Sequence, residues 1–455
     1  MVNHSVYTLL IVESPVLASA IREVAPQSIY PIATGGYCWF PAYNATKNNL
    51  TPKANPDKIE VRRELKEQAQ WANNIIIATD SDPSGDFIAW SVAKFLKIPV
   101  IRRAQLQNLS KAGIIQMLEE ARETDLTYLE STLKNLFLIQ SNWQKEKSLP
   151  DIDLSGLAVL FGTSGYFTHF LDENNTLFSS SAPVYCETDE WIPIRPSLEQ
   201  QYKIVEPLST FNLIEQTVSH SITKGYNDAQ VLLQRLFQTV LPGTKQSLIS
   251  YPRSSANAFY GQTWVNFRTQ FLQASLDGEL KPNFLQETAP LEEPHESIYP
   301  FDLTLKPEDA AGELISSLGD LYTLIYSHTV NAITIPDSAE KTFENDLKPE
   351  VYFYPVTKGY KNTGEHTLRP CYTVADMGKN LYELGVCRPS GFGEKLDSWI
   401  VKKWVSIEGT IVNPLQPVKT LGNRAAGLKQ KLIDLKSLEN RISLLPETVH
   451  AVITS

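Results

Sequence analysis

Two short apolar runs, each closing on carboxylates, constrain this chain more than any other feature. "VYTLLIVES" (residues 6–14) and "NNIIIATDSD" (73–82) are near-continuous aliphatic stretches, the pattern of strands covered on both faces of a parallel sheet. A segment of helical spacing follows each: "PVLASAIREVA", with proline at its start, and "DFIAWSVAKFLKI". This alternation predicts a doubly wound α/β domain over residues 1–120, with ligands at the carboxyl ends of its strands. Glu13, Asp80 and Asp82 fall at those ends. Two hard carboxylates at i, i+2 after one strand and a third after another suit Mg2+, which completes its shell with water and phosphate oxygens. Asp86 closes the same turn, although "DPSGD" taken alone reads equally as a turn with a helix cap.

A chain of 455 residues exceeds one ordinary core, so about two to four domains are expected. The formal charge of −10 gives no general basic coat, and any nucleic-acid grip must come from local basic clusters in a groove. Four cysteines (Cys38, Cys186, Cys371, Cys387) stand far apart without a CxxC, which argues against a zinc ribbon or a disulfide framework and fits a reducing compartment. No apolar run reaches spanning length. A soluble, cytoplasmic protein without membrane contact is the expectation.

Residues 105–150 read as helical ("SKAGIIQMLEEARE", "LTYLESTLKNLFLIQSNW"), while 180–215 and 301–360 alternate as β ("ETDEWIPIRP", "EVYFYPVTKGY"). A helical block between them ("DAQVLLQRLFQTV", "FYGQTWVNFRTQFLQ") suggests a domain inserted into a β-rich one, and the last 90 or so residues return to helix. Within the inserted block, "SLISYPRSSANAFY" sets Tyr251 and Arg253 two apart around Pro252. In extended backbone that spacing puts a phenol and a guanidinium on one face, and the proline stiffens the pair. A phenol can act as nucleophile and a guanidinium can grip a phosphate.

At these residues the chain resembles the type IA DNA topoisomerases. "LLIVESP" and "IIIATDSDPSGDFIAW" are similar to the strand and acidic motif of the family's TOPRIM domain, and "LISYPRSS" to its x-Y-x-R-[ST] element. "PHESIYP" resembles the HEAIRP motif, giving His295, and "TLRPCYTVADMGKNLYELGVCRPSGF" the late G-x-x-RPS segment. The matches keep the family's order across nearly the whole chain. The resemblance implies a multidomain α/β and α+β fold, toroidal overall. Its parts are a TOPRIM domain (1–120), a helical single-strand-binding domain (121–180 and 366–455), a β-rich arch (181–221 and 301–365) and an inserted helical domain (222–300) bearing the active-site tyrosine.

It also implies ATP-independent strand cleavage, passage and religation through a 5′-phosphotyrosyl intermediate, relaxing negatively supercoiled DNA. No GxxxxGK[ST] loop is present. Tyr251 would attack, Arg253 would hold the scissile phosphate, and Mg2+ on Glu13, Asp80 and Asp82 would position the leaving oxygen. Glu13, if not metal-bound, would protonate that oxygen, and His295 would join the phosphate or proton network. Arg388 and Ser390, with Lys402 and Lys403 on the following helix and Arg369 nearby, would line a single-strand groove. The expected partner is single-stranded or underwound DNA, or RNA, bound by a monomer.

The resemblance has gaps. The family's lysine four residues after the first glutamate is Leu17; the third acid of DxDxE is Ser84, with Pro83 before it. Gly36 stands for the histidine of the GH element, Ser255 for the aspartate of YxRTDS, and Tyr299 for the arginine of HEAIRP. Residues 154–168 hold no arginine where LSxGRVQT is usual, and the zinc ribbons of many relatives are missing. Two readings follow: a divergent topoisomerase, or a catalytically impaired relative that binds single-stranded DNA or a protein partner. A TOPRIM nuclease or primase would keep the carboxylates without needing the tyrosine.

Overall fold

The computed structural model describes residues 7–79, 83–98, 100–106, 109–145, 150–197, 205–241, 246–281, 284–286, 295–335, 342–344, 350–356, 360 and 364–433. They form two compact units. The first draws on Met1–Leu149 and Arg235–Tyr251, the second on Pro150–Gln234 and Pro252–Asp434.

The first unit runs β1 (Thr8–Val12), α1 (Pro15–Val24), β2 (Ile29–Ala33), the hairpin β3 (Trp39–Asn44) and β4 (Asn49–Ala54), α2 (Ile59–Ala69) and β5 (Asn74–Ala78). Then come α3 (Pro83–Leu96), β6 (Val100–Arg103), α4 (Lys111–Glu119), β7 (Arg122–Asp125) and α5 (Leu126–Lys145). Its five-stranded sheet has the order β2-β1-β5-β6-β7, parallel except for β7. Leu9 to Val12 are buried, as the apolar run predicts. The expected limit at residue 120 is too short: β7 adds an edge, and α5 buries Leu129 and Leu133 in the core that holds Phe87 and Trp90. That spacing of four puts both leucines on one helix face.

The second unit opens with α6 (Ile152–Gly162), β8 (Gly165–Leu171), β9 (Leu177–Cys186), β10 (Ile192–Pro196), α7 (Thr210–Ser219) and α8 (Tyr226–Phe237), whose last residues belong to the first unit. It continues with β11 (Phe259–Tyr260), α9 (Gly261–Gln273), β12 (Leu285–Gln286), α10 (Pro307–Ala310), α11 (Ser316–Ile333), β13 (Phe343–Glu344), β14 (Phe353–Pro355) and β15 (His366–Cys371). Last are α12 (Val374–Glu383), α13 (Phe392–Val401), the hairpin β16 (Val405–Glu408) and β17 (Ile411–Pro414), and α14 (Gln416–Gly422).

Strands β10-β13-β14-β9-β8-β15 close a barrel, inside which Phe170 packs edge-on against Phe353 and Phe178 against Phe343. The β region therefore begins at 165 and ends at 371, not at 181 and 365. It also contains helix: α11 buries Leu318, Leu321, Tyr322, Ile325 and Tyr326 at helical spacing, and Ser209 and Asn212 form a capping box that starts α7. The block 222–300 is likewise split, because Arg235–Tyr251 packs with the first unit.

Candidate active site

The turn after β1 holds Glu13. Strand pairing carries past the strand ends: Thr34 N–H donates to the Val12 carbonyl (2.9 Å) and Gly35 N–H to that of Glu13 (2.8 Å). Ser14 then caps α1, its Oγ accepting from Leu17 N, so the carboxylate leaves a backbone fixed on both sides. Gly35 and Gly36 take φ of +62° and +89°, a left-handed turn that favours glycine. Among the described residues, nothing lies within 4 Å of where a side chain at Gly36 would begin.

The tyrosine-bearing segment is tied to this edge of the sheet at two places. Gln238 Nε2 donates to Ser14 Oγ at 3.0 Å, beside Glu13. Further along, Ser247 N–H donates to the Leu109 carbonyl (2.8 Å) and Ser247 Oγ accepts from Leu109 N (3.2 Å), in the connection between β6 and α4. Strand β5 lies between β1 and β6, so the two ties flank the carboxyl end of β5, which Asp80 follows by two residues. Tyr251 belongs to this unit, and its ring meets Phe237, the neighbour of Gln238, edge-on at 5.7 Å.

Asp80 and Asp82 themselves lie outside the described residues. Among the described residues no group of three or more His, Cys, Asp or Glu could hold a metal. Asp86 is committed elsewhere: Arg103 Nη1 pairs with its Oδ1 at 2.7 Å. The oxygen-only donor set of Glu13, Asp80 and Asp82 has the hard chemistry that Mg2+ takes, and the β1–β5 register sets Val12 beside Ala78, so the two strands end side by side.

In the second unit, Arg253 Nε donates to Gln234 Oε1 at 3.1 Å. The backbone around it is clamped by α7: Thr210 Oγ1 donates to the Pro252 carbonyl (2.9 Å) and accepts from Ser254 N (2.9 Å). Ser254 Oγ donates to the His295 carbonyl at 3.1 Å, so the HES and YPRS elements meet. Burial pushes the His295 imidazole down to about 4, which leaves it neutral near pH 7. Tyr299 is buried and donates to Glu296 Oε1 at 2.6 Å, which also accepts from Thr263 Oγ1. The position where the family carries arginine is thus a phenol sealed in an internal network.

The expected groove residues fall in three places. Arg369 is exposed on β15, in the barrel. Arg388 and Ser390 share the turn between α12 and α13, where Gln230 Nε2 donates to the Ser390 carbonyl. Lys402 and Lys403 are not on a helix: they form the turn after α13, with Lys403 at φ +56° and Lys402 Nζ stacked 4.4 Å from the Trp404 ring. The length of α13, about 15 Å, separates them from Arg388. Sequence reasoning missed Gln238, Ser247 and Lys58; each lies in a connection and acts through tertiary hydrogen bonds, which leave no periodic or motif signal. There is one each from Gln238 to Ser14 and Lys58 to Gly35, and two between Ser247 and Leu109.

Residues 8–112 match the Toprim domain family. The chain is 22% identical over 426 residues to DNA topoisomerase 1 of Mycoplasmoides gallisepticum, covering 72% of this chain and 59% of that protein. It is 22% identical over 443 residues to DNA topoisomerase 1 of Mycoplasma genitalium, covering 77% and 62%. It therefore spans about three fifths of the length of these curated relatives. Full-length topoisomerase I from Thermotoga maritima has the same fold, with a TM-score of 0.65, 16% identity, and coverage of 95% of this chain and 87% of that one. The protein is a Toprim-domain protein. The Toprim match, the sequence similarity and the shared fold together support membership of the type IA DNA topoisomerase family.

Proposed function

We propose that this protein cleaves and rejoins a single strand of DNA through a tyrosyl phosphodiester, without ATP, and so relaxes negatively supercoiled DNA. The observation that carries this reading is the double tie of the Tyr251 segment to the strand ends beside β5. The two ties fix the segment that carries Tyr251 to the edge of the sheet where β1 ends, just before Glu13.

In cleavage, Tyr251 Oη bonds to phosphorus, the bond from phosphorus to the 3′ oxygen breaks, and that oxygen leaves with a proton. Glu13, where it is not metal-bound, supplies this proton, and the phenolic proton passes to solvent. Arg253 grips the phosphate and stabilises its developing charge. His295, neutral near pH 7, serves as a hydrogen-bond partner and not as a cation. Mg2+ held by Glu13, Asp80 and Asp82 would neutralise phosphate charge and orient the leaving oxygen. Religation reverses these steps. Arg388, Ser390, Arg369, Lys402 and Lys403 contact the strand in this reading.

The test incubates end-labelled single-stranded DNA with wild type and Tyr251→Phe, then denatures. Label on wild-type protein that vanishes in the variant supports the enzyme. The buried Tyr299 in place of a cation favours one other reading, a single-strand-binding protein without cleavage. Intact DNA binding with no label in wild type would decide for it.

A further inference from the structure

The helix after Glu13 carries no cation in its first turn: the position is Leu17, at the third residue of α1. A different element supplies one nearby. Lys58 closes the 3-10 turn Pro56–Lys58 before α2, and its Nζ donates to the Gly35 carbonyl at 2.6 Å. Gly35 is the residue whose N–H binds the Glu13 carbonyl. A methyl group added at Gly35 would stand 2.6 Å from Lys58 Nζ and 3.7 Å from Pro15 Cγ. The bare glycine thus leaves the space that the ammonium fills, against the turn that bears Glu13.

The other cations of this region are spent internally. Arg62 Nη1 caps the carbonyls of Cys38 and Asn55, and Arg103 pairs with Asp86. Arg22 Nη2 donates to the Pro31 carbonyl. Lys58 is half-buried. Among the described residues it has no carboxylate partner, and Gly35 takes one of the three donors that an ammonium carries.

We propose that Lys58 is an anion-binding residue of the site, contacting a phosphate of the bound strand beside Glu13 and replacing, from the connection before α2, the charge that α1 lacks. This rests on the DNA-binding part of the reading above, and the charge is held in place by the Gly35 carbonyl.

The test measures single-stranded oligonucleotide affinity against salt for wild type, Lys58→Gln and Lys58→Arg, all in a Tyr251→Phe background that binds without cleaving. Glutamine keeps an N–H donor for the Gly35 carbonyl but removes the charge. Lys58→Gln should bind about tenfold more weakly at low salt, and its log–log salt slope should be shallower by about 0.7, the share of one phosphate on a single strand. Lys58→Arg should restore the slope. A slope unchanged in Lys58→Gln overturns the proposal and leaves the topoisomerase reading standing. A changed slope that Lys58→Arg fails to restore also overturns it, since the role is then structural. Absence of single-strand binding in wild type overturns both. Binding without covalent label in wild type sinks only the cleavage reading, and the salt slope still decides the role of Lys58.

Discussion

Gln238 donates from Nε2 to Ser14 Oγ at 3.0 Å, joining the residue after Phe237 to the residue after Glu13. Tyr251 packs on that same Phe237. In the proposed reaction, the spacing of Tyr251 from Glu13 therefore depends on this bond. A side-chain hydrogen bond of this kind is worth about 0.5–1.5 kcal/mol, so Gln238→Ala should slow covalent labelling roughly three- to tenfold. Its thermal midpoint should stay within a few degrees of wild type. Single-turnover labelling beside a thermal melt checks this, and an unchanged rate would show that the bond does not position the tyrosine.

Metal removal should act on the same reaction. EDTA should abolish labelling, and added Mg2+ should restore it in wild type but not at the same concentrations in Asp80→Ala. Identical Mg2+ titrations for the two proteins would remove Asp80 from the site.

Leu17 sits on the first turn of α1, whose Pro15 borders the space between Gly35 and Lys58. Leu17→Lys should speed cleavage by one to two decades, about 1.5–3 kcal/mol for a charge-assisted contact. In Lys58→Gln the same change should also speed cleavage. A rate that does not respond in either background would mean that added positive charge at this turn does not reach the phosphate.

Stability should depend on pH through Glu215 on α7. Burial raises its carboxyl from the usual 4.5 to about 7, with Asp376 adding to the rise and the Ala375 N–H, His169 and Thr373 opposing it. Between those two values the folded protein keeps a proton that the unfolded chain has lost. Stability contributed by the neutral group is therefore full below about 4.5 and lost as pH rises through about 7. Glu215→Gln should gain on the order of 3 kcal/mol at pH 8 and almost nothing near pH 4.5. Urea midpoints at the two pH values measure it; an equal gain at both would exclude ionisation as the cause.

Gly393, in the first turn of α13, lies against the backbone at the start of α8. A Cβ there would collide with the Tyr226 carbonyl oxygen and stand 3.1 Å from Asn227 Cα. Neither can swing aside as a side-chain tip could. Gly393→Ala should cost about 1–3 kcal/mol, read as a lower urea midpoint, whereas Gly391→Ala, which meets nothing within 4 Å, should cost much less.

The first unit was largely legible because its signals are local. Leu9 to Val12 and the run before Asp80 are aliphatic without interruption, and only a two-sided sheet interior satisfies such strands. Tyr251, Arg253 and Glu13 were likewise marked by short-range motif spacing. The domain limits were not legible. Strands β13 and β14 have only two and three residues, too few for an alternation to register. The helix α11 lies between β10 and β13, so its helical spacing was averaged into β neighbours. The site's supports depended wholly on tertiary structure: Gln238 and Ser247 reach across the chain to Ser14 and Leu109, and Lys58 reaches Gly35. One hydrogen bond between distant residues imposes no pattern on the residues around it. What the sequence by itself determined was therefore which residue types could do the chemistry and on which strand ends they stand. Only folding decided which polar side chains tie the tyrosine-bearing segment to the sheet, because long-range partners are chosen by the packing of the whole unit.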